Sequence, residues 1–435
     1  MKTIKLGLIG FGTVGSGVLK ILAQIQPVIE KKLGVSLKLV KIADLDIKTD
    51  RGVPIAPNIL TKDSDEILNH PEIDIVIELI GGLEPARTFV LKAISNGKHV
   101  VTANKALLAK YADELFSASD EKNVGIGYEA SVAGCIPIIR SIRESFVATN
   151  INSIMGIVNG TANFILSKMT EDGSDFDDVL KEAQEKGYAE ADPTFDIEGI
   201  DSAHKIAILT RLVYGTPVNF DEVYIQGIAK ITQEDIQCAH EFGYRIKLLA
   251  ISKIDGDSLE VRVHPAMIPV RHSLSSVDGV LNAVRVEDEI MGEAILTGHG
   301  AGSLPTASAV LGDVAEMARN IISGTSTNRV PPQSFLKSGQ RLLVIKSINE
   351  IESEYFLRFN VNDKPGVLSI ISGILGHHAI GIKSVIQRGR DLDGRGVSLI
   401  LMTHMANEKN VQDALLKIDQ QEVVCKESIF IRCEK

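Results

Sequence analysis

The chain has 435 residues, of which 44% are hydrophobic and 23% are charged, and its formal net charge is −10 at pH 7. This composition suits about three domains with buried cores, and it lacks the clustered basic surface that nonspecific nucleic-acid binding requires. No apolar run approaches the roughly 18 residues of a membrane span. We therefore expect neither a nucleic acid nor a membrane as partner.

Two features of the sequence indicate the compartment. The amino-terminal apolar run meets glycines at once, which is typical of a strand and not of a signal peptide. The cysteines are scattered without Cys-x-x-Cys spacing, which favours reduced thiols in a cytoplasmic protein over disulfides or a zinc site. They are Cys135, Cys238, Cys425 and Cys433.

The first motif is a glycine-rich turn between a predicted strand, Ile4–Ile9, and a helical pattern that passes through Val18. The turn consists of Gly10, Phe11, Gly12, Thr13, Val14 and Gly15. In such a Gly-x-Gly-x-x-Gly pattern the glycines allow a tight turn, close approach of the backbone to a pyrophosphate, and close helix packing. The free N–H groups at the start of the helix favour the anion. The sequence therefore predicts a dinucleotide-binding domain.

A second predicted strand, Leu37–Ala43, ends at Asp44. An acidic residue at this position binds the ribose hydroxyls of NAD in such domains. Lys48 and Arg51 follow closely, however, and could pair with the 2′-phosphate of NADP. The choice between NAD and NADP stays open.

Two more strands are expected in the same sheet. The apolar run Ile73–Ile80 predicts a buried parallel strand, closed by Gly81 and Gly82, and His99–Thr102 predicts another. Lys105 follows and would project at the carboxyl end of the sheet, where doubly wound folds bind ligands. A solvated lysine at the start of a helix is the alternative.

Glu129 follows the predicted strand Val124–Tyr128 and precedes a turn of small residues. One carboxylate with main-chain carbonyls could hold a hard cation through oxygen ligands, although a plain loop also explains the pattern. Further along, Asp172–Asp178 predicts an acidic, solvated loop.

The stretch Glu185–Lys205 is the strongest candidate for the chemistry. It gathers several acidic residues into a turn-rich run, and Asp201 and Lys205 lie four residues apart, so they share one face of the helix that follows. Apolar residues from Ile208 to Leu212 continue that face inward. An exposed ion pair would contribute only about 0–1 kcal/mol, so a functional cleft explains the pair better than stability does.

A second glycine-rich segment, Gly298–Pro305, precedes a predicted helix that reaches about Arg319. It predicts an anion-friendly helix start, and we interpret it as the return of the chain to the cofactor, with a packing loop as the alternative. The carboxyl-terminal residues predict a βαββαβ order. Its first strand, Tyr355–Val361, alternates like an edge strand, and the turn Asp363–Gly366 could capture the polar end of a small ligand.

These motifs resemble those of the homoserine dehydrogenase family over essentially the whole chain. The matching stretches are GFGTVGSG at Gly10–Gly17, VTANKALLA at Val101–Ala109, YEASVAGCIPI at Tyr128–Ile138, GIVNGTANFIL at Gly156–Leu166, KGYAEADPTFDIEGIDSAHK at Lys186–Lys205 and GAGSLPTAS at Gly300–Ser308. The dinucleotide motif occurs in many families, whereas the block from Glu190 to Lys205 is specific. The turn Asp363-Lys364-Pro365-Gly366 resembles that of an ACT domain.

The resemblance implies an α/β fold with three domains and a linker. A Rossmann-type doubly wound nucleotide domain would occupy residues 1–130 and be completed by about 300–322. An α+β substrate-binding, catalytic and dimerisation domain would occupy 131–299, a linker 323–352, and a βαββαβ ACT regulatory domain 353–435.

The resemblance also implies reversible NAD(P)H-dependent reduction of L-aspartate 4-semialdehyde to L-homoserine, on the route to threonine, methionine and isoleucine. Lys205 would donate a proton and Lys105 would be the second catalytic lysine. Glu190 and Asp201 would bind the substrate. The residues that would contact NAD or NADP are the glycine-rich turn, Asp44, Thr102, Lys105 and Gly302.

Three further expectations follow from the resemblance. A structural sodium ion would be bound by Glu129 and the carbonyls of Val132, Gly134 and Ile136. Threonine would inhibit through the ACT domain at Asp363 and Gly366. The protein would be a homodimer or, through ACT pairing, a homotetramer. The alternatives are another NAD(P)-dependent amino-acid oxidoreductase and a catalytically inactive metabolite-sensing regulator.

Overall fold

The computed structural model describes residues 1–56, 58–324, 330–388 and 396–435. The strands are β1 (Lys2–Ile9), β2 (Val35–Ala43), β3 (Leu60–Thr61), β4 (Ile75–Glu78), β5 (His99–Thr102), β6 (Ile126–Gly127), β7 (Ser153–Ile157), β8 (Tyr224–Ile225), β9 (Tyr244–Asp255), β10 (Ser258–Pro269), β11 (Leu281–Asp288), β12 (Gly292–His299), β13 (Val344–Ile345), β14 (Glu352–Val361), β15 (Ile382–Arg388), β16 (Val397–Thr403), β17 (Ala406–Asn407) and β18 (Val424–Cys433).

The α-helices are α1 (Thr13–Leu33), α2 (Asp65–Leu68), α3 (Ala86–Ser95), α4 (Lys105–Lys122), α5 (Ile138–Arg140), α6 (Gly160–Asp172), α7 (Phe176–Glu185), α8 (Thr194–Ile197), α9 (Ile200–Tyr214), α10 (Gln233–Glu241), α11 (Ser303–Ser323), α12 (Val367–His377) and α13 (Glu408–Asp419). Among the described residues, no helix has both the length and the apolar character needed to cross a membrane.

The chain divides into two compact units. Unit 1 comprises Met1–Gly160, Ile200–Val223 and Val280–Leu343. Unit 2 comprises Thr161–Gly199, Tyr224–Gly279 and Val344–Lys435.

Unit 1 is built on a parallel sheet with the strand order β3-β2-β1-β4-β5-β6. In this doubly wound order the connections reverse direction between β1 and β4, which leaves a crevice at the carboxyl ends of those two strands. The residues of β4 and β5 are buried throughout, as expected for parallel strands covered on both faces. The predicted Rossmann-type sheet is confirmed.

Two long helices share a core with this sheet. The apolar faces of α1 and α11 pack with β1, and Leu8, Val18 and Val310 are all fully buried there. Helix α1 ends at Gly34, whose left-handed φ of 72° stops the helix. The antiparallel strands β7, β11 and β12 also belong to unit 1.

Unit 2 contains a long antiparallel hairpin, β9 and β10, against which the carboxyl-terminal strand β18 pairs. From β14 onward the chain follows the predicted βαββαβ order, in which α12 and α13 pack on the sheet around Tyr355, Leu357 and Phe359. The edge-strand interpretation of Tyr355–Val361 is wrong, because β14 lies between β16 and β18. Residue alternation reports which face of a strand is buried but not which strands flank it.

Two other predicted segments are more ordered than expected. Asp177 and Asp178 belong to the first turn of α7, where carboxylates are favoured by the helix dipole, so the predicted loop ends sooner. Of the predicted linker, residues 325–329 lie outside the described residues, and residues 330–343 belong to unit 1. Within unit 1, Arg143 donates from Nη2 to the carbonyl of Val330 at 3.1 Å, and the Tyr128 hydroxyl donates to the carbonyl of Pro332.

Candidate functional site

The glycine-rich turn between β1 and α1 forms an open cradle at the start of a 21-residue helix. Gly10 adopts φ 98°, and a Cβ at Gly15 would stand 2.3 Å from the carbonyl oxygen of Gly10, so neither position tolerates a side chain. A Cβ at Gly12, by contrast, would have no atom within 4 Å. The space above Gly12 and the free N–H groups of α1 therefore fit the pyrophosphate of a dinucleotide.

The carboxylate of Asp44 ties the end of β2 to this turn. Its Oδ2 accepts from the backbone N–H of Phe11 at 2.5 Å, and its Oδ1 accepts from that of Asp46 at 2.8 Å. Arg51, one of the two residues considered for a 2′-phosphate, donates from Nη2 to Asp46 at 3.1 Å. The Asp44 carboxylate therefore lies at the glycine-rich turn, and the Arg51 guanidinium is paired to Asp46.

The start of α11 reaches the same turn, as the sequence predicts. Ser303 donates from Oγ to the carbonyl oxygen of Thr13 at 2.6 Å, and a Cβ at Gly17 would stand 2.6 Å from the carbonyl oxygen of Ser303. Gly302, with φ 117°, precedes the helix. Gly17 and Gly302 thus allow the amino termini of α1 and α11 to lie close together.

The carboxyl ends of β4 and β5 are held together by Glu78, a residue that the sequence analysis did not single out. Its Oε2 accepts from the Thr102 hydroxyl at 2.7 Å and its Oε1 from the N–H of Ile80 at 2.9 Å. Burial raises the pKa of Glu78 above its ordinary value despite these bonds. An acidic residue inside an apolar run was the available signal, since a buried carboxyl needs partners.

Helix α4, which begins at Lys105, is fixed by the same edge of the sheet. Asn104 caps it, because its Oδ1 accepts from the N–H of Leu107 at 3.1 Å while its Nδ2 donates to the carbonyl of Gly82 at 2.7 Å. Thr102 accepts from the N–H of Asn104 at 3.0 Å. Lys105 therefore lies at a defined position beside the carboxyl ends of β4 and β5.

The central feature of unit 1 is a carboxylate that binds two ammonium groups. Asp201 Oδ1 lies 2.8 Å from Lys105 Nζ, and Asp201 Oδ2 lies 2.6 Å from Lys205 Nζ. The Asp201 side chain is 4% exposed, Lys205 10% and Lys105 36%. We call Lys105, Asp201 and Lys205 the site triad. The structure thus brings both predicted lysines to the predicted aspartate.

The charges of the site triad control the ionisation of Asp201. Burial alone would raise the pKa of the Asp201 carboxyl, but Lys205 and Lys105 outweigh burial and hold the pKa well below its usual range. His204 lies next to this group and stacks on Phe220, with ring centroids 4.3 Å apart. Burial lowers the pKa of His204 to about 4, so the ring is neutral at pH 7.

The end of β7 contacts the site triad through two neighbouring residues. Lys205 donates from Nζ to the carbonyl oxygen of Val158 at 2.6 Å, and Asn159 donates from Nδ2 to Asp201 Oδ2 at 2.9 Å. The sequence analysis did not single out Asn159. An amide directly after the strand-like run Ile154–Val158 was the only available signal, and such residues are common in turns.

Glu190 and the predicted effector residues belong to unit 2. Glu190 is exposed, and its main-chain carbonyl accepts from Gln184 Nε2 at 3.2 Å. Asp363 is also exposed, and its Oδ1 accepts from Gln387 Nε2 at 3.4 Å. Gly366 has φ 94° and immediately precedes α12.

The predicted cation ligands surround a strained turn in unit 1. Ala133 and Gly134 both have positive φ, 55° and 57°. Glu129 is buried, and its two carboxylate oxygens accept from the N–H groups of Ile139 and Arg140 at 2.8 and 2.9 Å. Burial raises the pKa of this carboxyl.

A carboxylate that accepts two bonds still has acceptor capacity for a cation. Over the part of the chain that the structure describes, three or more His, Cys, Asp or Glu side chains never gather as they would around a metal ion. A cation here would therefore depend on main-chain carbonyls.

Comparisons with known proteins agree with this geometry. Residues 10–129 match the family model "Homoserine dehydrogenase, NAD binding domain", and residues 137–315 match "Homoserine dehydrogenase". The homoserine dehydrogenase of Neisseria gonorrhoeae is 45% identical over 435 residues, covering 100% of this chain and 99% of that protein. That of Pseudomonas aeruginosa is 43% identical and covers 100% of both.

Solved structures give the same result. The homoserine dehydrogenase of Thiobacillus denitrificans superposes with a TM-score of 0.93 at 44% identity and covers 100% of this chain and 99% of its own. A hyperthermophilic archaeal homoserine dehydrogenase in complex with NADPH superposes with a TM-score of 0.62 at 30% identity and covers 72% of this chain and 97% of its own. With its nucleotide cradle and its relatives over the full length, this chain belongs to the homoserine dehydrogenase family of NAD(P)-dependent oxidoreductases that act on a CH–OH group.

Proposed function

We propose that the site triad carries the reduction of L-aspartate 4-semialdehyde to L-homoserine, with Lys205 as proton donor and Lys105 as the second catalytic lysine. The observation that carries this proposal is the buried Asp201 carboxylate, which holds two ammonium groups within 2.8 Å. Two cations on one anion leave a net positive charge. Such a surplus suits a reaction in which a carbonyl oxygen gains negative charge.

The proton transfer follows from the chemistry of the aldehyde. The bound dinucleotide would supply a hydride to the aldehyde carbon, and the carbonyl oxygen would become an alkoxide unless it is protonated. A positioned acid contributes about 10²–10⁴-fold to such a step. Asp201 and the Val158 carbonyl both accept from Lys205 Nζ, at 2.6 Å each, so the amine is oriented before the substrate arrives.

The glycine-rich turn of Gly10 to Gly15 and Gly302 would hold the cofactor, and Asp44 would bind a ribose. Thr102, the last residue of β5, and Lys105, the first residue of α4, would border the nicotinamide side. Glu190 and Asp201 would bind the amino and hydroxyl ends of the substrate. These assignments rest on the open cradle at Gly12 and on the match of this chain to its family along these motifs.

A sodium ion would be held by Glu129 with the carbonyls of Val132, Gly134 and Ile136. The buried carboxylate and the two left-handed residues in this turn support the proposal. Because Glu129 also caps α5, the ion would be structural. Its addition is expected to raise the thermal unfolding temperature, and an equal temperature in potassium and in sodium chloride would contradict a selective site.

The βαββαβ segment would be an ACT domain through which threonine inhibits, with Asp363 and Gly366 at the effector site. Because β18 pairs with β10 inside unit 2, removal of this segment would unpair a core strand, so point substitution is the better test. Asp363→Ala is expected to keep activity and to weaken threonine inhibition. Unchanged inhibition would contradict the assignment.

The assembly would be a cytoplasmic homodimer or homotetramer, which light scattering after size exclusion distinguishes. The reaction itself is tested by oxidation of NADPH and of NADH with aspartate semialdehyde and, in parallel, with imino substrates. We expect turnover with the semialdehyde alone. Turnover restricted to imino substrates would instead support an amino-acid dehydrogenase, and no turnover of any substrate would support a metabolite-sensing regulator.

A further inference from the structure

We propose that Asn159 is a positioning residue for the reaction. It fixes the orientation of the Asp201 carboxylate, which binds both lysines of the site triad. This inference rests on the proposed roles of the site triad. Asn159 is 5% exposed, and its Nδ2 donates to Asp201 Oδ2 at 2.9 Å. The same oxygen accepts from Lys205 at 2.6 Å.

This contact matters because it fixes the orientation of the Asp201 carboxylate. Asp201 must present Oδ1 to Lys105 and Oδ2 to Lys205, although the two ammonium groups repel each other. A carboxylate can rotate about its Cβ–Cγ bond, and this terminal torsion has only a broad preference. A second donor on Oδ2 that comes from a different element opposes this rotation.

The backbone around Asn159 makes this donor rigid. Asn159 follows the buried strand β7 and precedes Gly160, the first residue of α6. Its neighbour Val158 supplies the carbonyl that accepts from Lys205. One dipeptide therefore fixes both members of the Asp201–Lys205 pair, which α9 alone would hold only by their four-residue spacing.

The neutral amide is also the right chemical type for this position. It donates to a carboxylate without adding a charge, so the triad keeps its surplus of one positive charge. A hydrogen bond to a charged group that is removed from a buried site costs about 1.5–3 kcal/mol. We therefore expect Asn159→Ala to lower kcat by about 10- to 100-fold and to change the KM for the aldehyde less than about threefold.

Asn159→Asp has almost the same shape but replaces the donor by a carboxyl. That carboxyl would lie against Asp201, whose two oxygens also bind Lys105 and Lys205. Its charge would repel Asp201 and cancel the surplus positive charge of the site triad, and the donor that Asn159 gives to Asp201 Oδ2 would be lost. We expect kcat of this variant to fall below that of Asn159→Ala at pH 8.

Asn159→Ser and Asn163→Ser complete the test. The serine at 159 retains a hydroxyl donor and should keep more activity than alanine, although the two leave similar space. Asn163 is a matched control, since it is a 1% exposed asparagine in α6, the helix that directly follows Asn159, but donates to the carbonyl of Val277. Its variant should lose thermal stability and keep kcat.

The outcomes separate the two proposals. If Asn159→Ala and Asn159→Asp both keep kcat within about twofold of wild type, or if folded Asn159→Ser keeps no more activity than Asn159→Ala, the positioning role is wrong. If the wild type does not reduce the semialdehyde, the proposed function fails first, whatever the variants do. Thermal unfolding of each variant shows whether the folded protein was assayed.

Discussion

Lys205 in unit 1 and Lys247 in unit 2 are buried amines with similar partners. Lys205 donates to the Val158 carbonyl and to Asp201, both at 2.6 Å, and Lys247 donates to the Val277 carbonyl at 2.7 Å and to Asp278 at 2.8 Å. Each aspartate binds a second cation, Lys105 at Asp201 and Arg245 at Asp278. We call Arg245, Lys247 and Asp278 the core triad.

The two triads differ in what they expose. In the core triad, Asp278 and Arg245 are about equally exposed, at 32% and 30%, and bind each other at 2.9 Å. In the site triad the carboxylate is buried and the exposed member is Lys105. The core triad therefore offers solvent a neutral pair, whereas the site triad offers an ammonium group. Both triads contain buried charged groups. They differ in which charged group solvent can reach, and this difference distinguishes the proposed catalytic triad from the structural one.

The partners of Lys247 also explain why it is structural. Besides its carbonyl and carboxylate, Asn163 Oδ1 at 3.2 Å and Ser167 Oγ at 3.5 Å lie within reach, so each of its three N–H donors has an acceptor. Burial lowers the pKa of Lys247, although Asp278 opposes this shift. The amine thus serves to join α6 to the loop before Gly279.

The largest difference between the two triads is expected when each buried lysine, Lys205 or Lys247, is replaced by methionine. Lys205→Met should lower kcat by about 10²–10⁴-fold because the proton donor is lost, with cofactor affinity little changed. Lys247→Met should leave kcat within about twofold and reduce the free energy of unfolding by about 1–3 kcal/mol, because buried acceptors lose their donor. Steady-state kinetics and denaturant unfolding measure both, and equal kinetic losses would remove the distinction.

Neutralisation of each aspartate should have the next largest effect. Asp201→Asn should lower kcat/KM about 100-fold, since two charge-assisted contacts are lost. Asp278→Asn should have little kinetic effect, since Asp278 belongs to the core triad of unit 2, which the proposed chemistry does not use. A loss of activity in Asp278→Asn, with the protein still folded, would count against the assignment of the two triads.

The nucleotide cradle can be tested without touching either triad. Gly12→Ala adds a methyl group that meets no atom of the protein within 4 Å, so stability should hold. We expect NAD(P)H affinity to fall about tenfold, the factor that 1.4 kcal/mol gives, as measured by fluorescence titration. Gly373→Ala in unit 2, where a Cβ also meets nothing, is the control, and unchanged affinity in Gly12→Ala would argue against the cradle.

The last prediction concerns stability alone, through its dependence on pH. Burial, reinforced by Glu129, raises the pKa of the Asp313 carboxyl from its ordinary value of 3.8 to about 8. The folded protein therefore holds a proton that the unfolded chain releases between these values, and this group lowers the free energy of unfolding as the pH rises from about 4 to about 8. Asp313→Asn should reduce that decline, and an unchanged stability profile would exclude Asp313 as its source.

The sequence predicted those parts of the site that depend on local spacing. The glycine-rich turn after β1 and the four-residue spacing of Asp201 and Lys205 are both local, and the contacts at those positions agree with the predictions. Lys105 was predicted at the correct edge of the sheet, but its contact with Asp201 depends on how α4 and α9 pack, which no local pattern encodes.

The residues that support the site were harder to predict for the same reason. Glu78 and Asn159 act through partners on other strands and helices, and each is a single polar residue in a common setting. The core triad was missed entirely, since Lys247 and Asp278 lie 31 residues apart. The sequence predicted β14 as an edge strand, although it lies inside the sheet. One of its two neighbours, β18, comes last in the chain, so no local pattern shows this pairing.

The most direct test of the proposed chemistry is the single-turnover rate of NADPH oxidation by Lys205→Arg with aspartate semialdehyde. Arginine keeps the positive charge beside Asp201 but does not give up a proton in proteins. If Lys205 is the proton donor, the rate should fall to that of Lys205→Met, about 10²–10⁴-fold below wild type. A rate within about tenfold of wild type, with cofactor affinity retained, would mean that the charge alone suffices and would contradict the account.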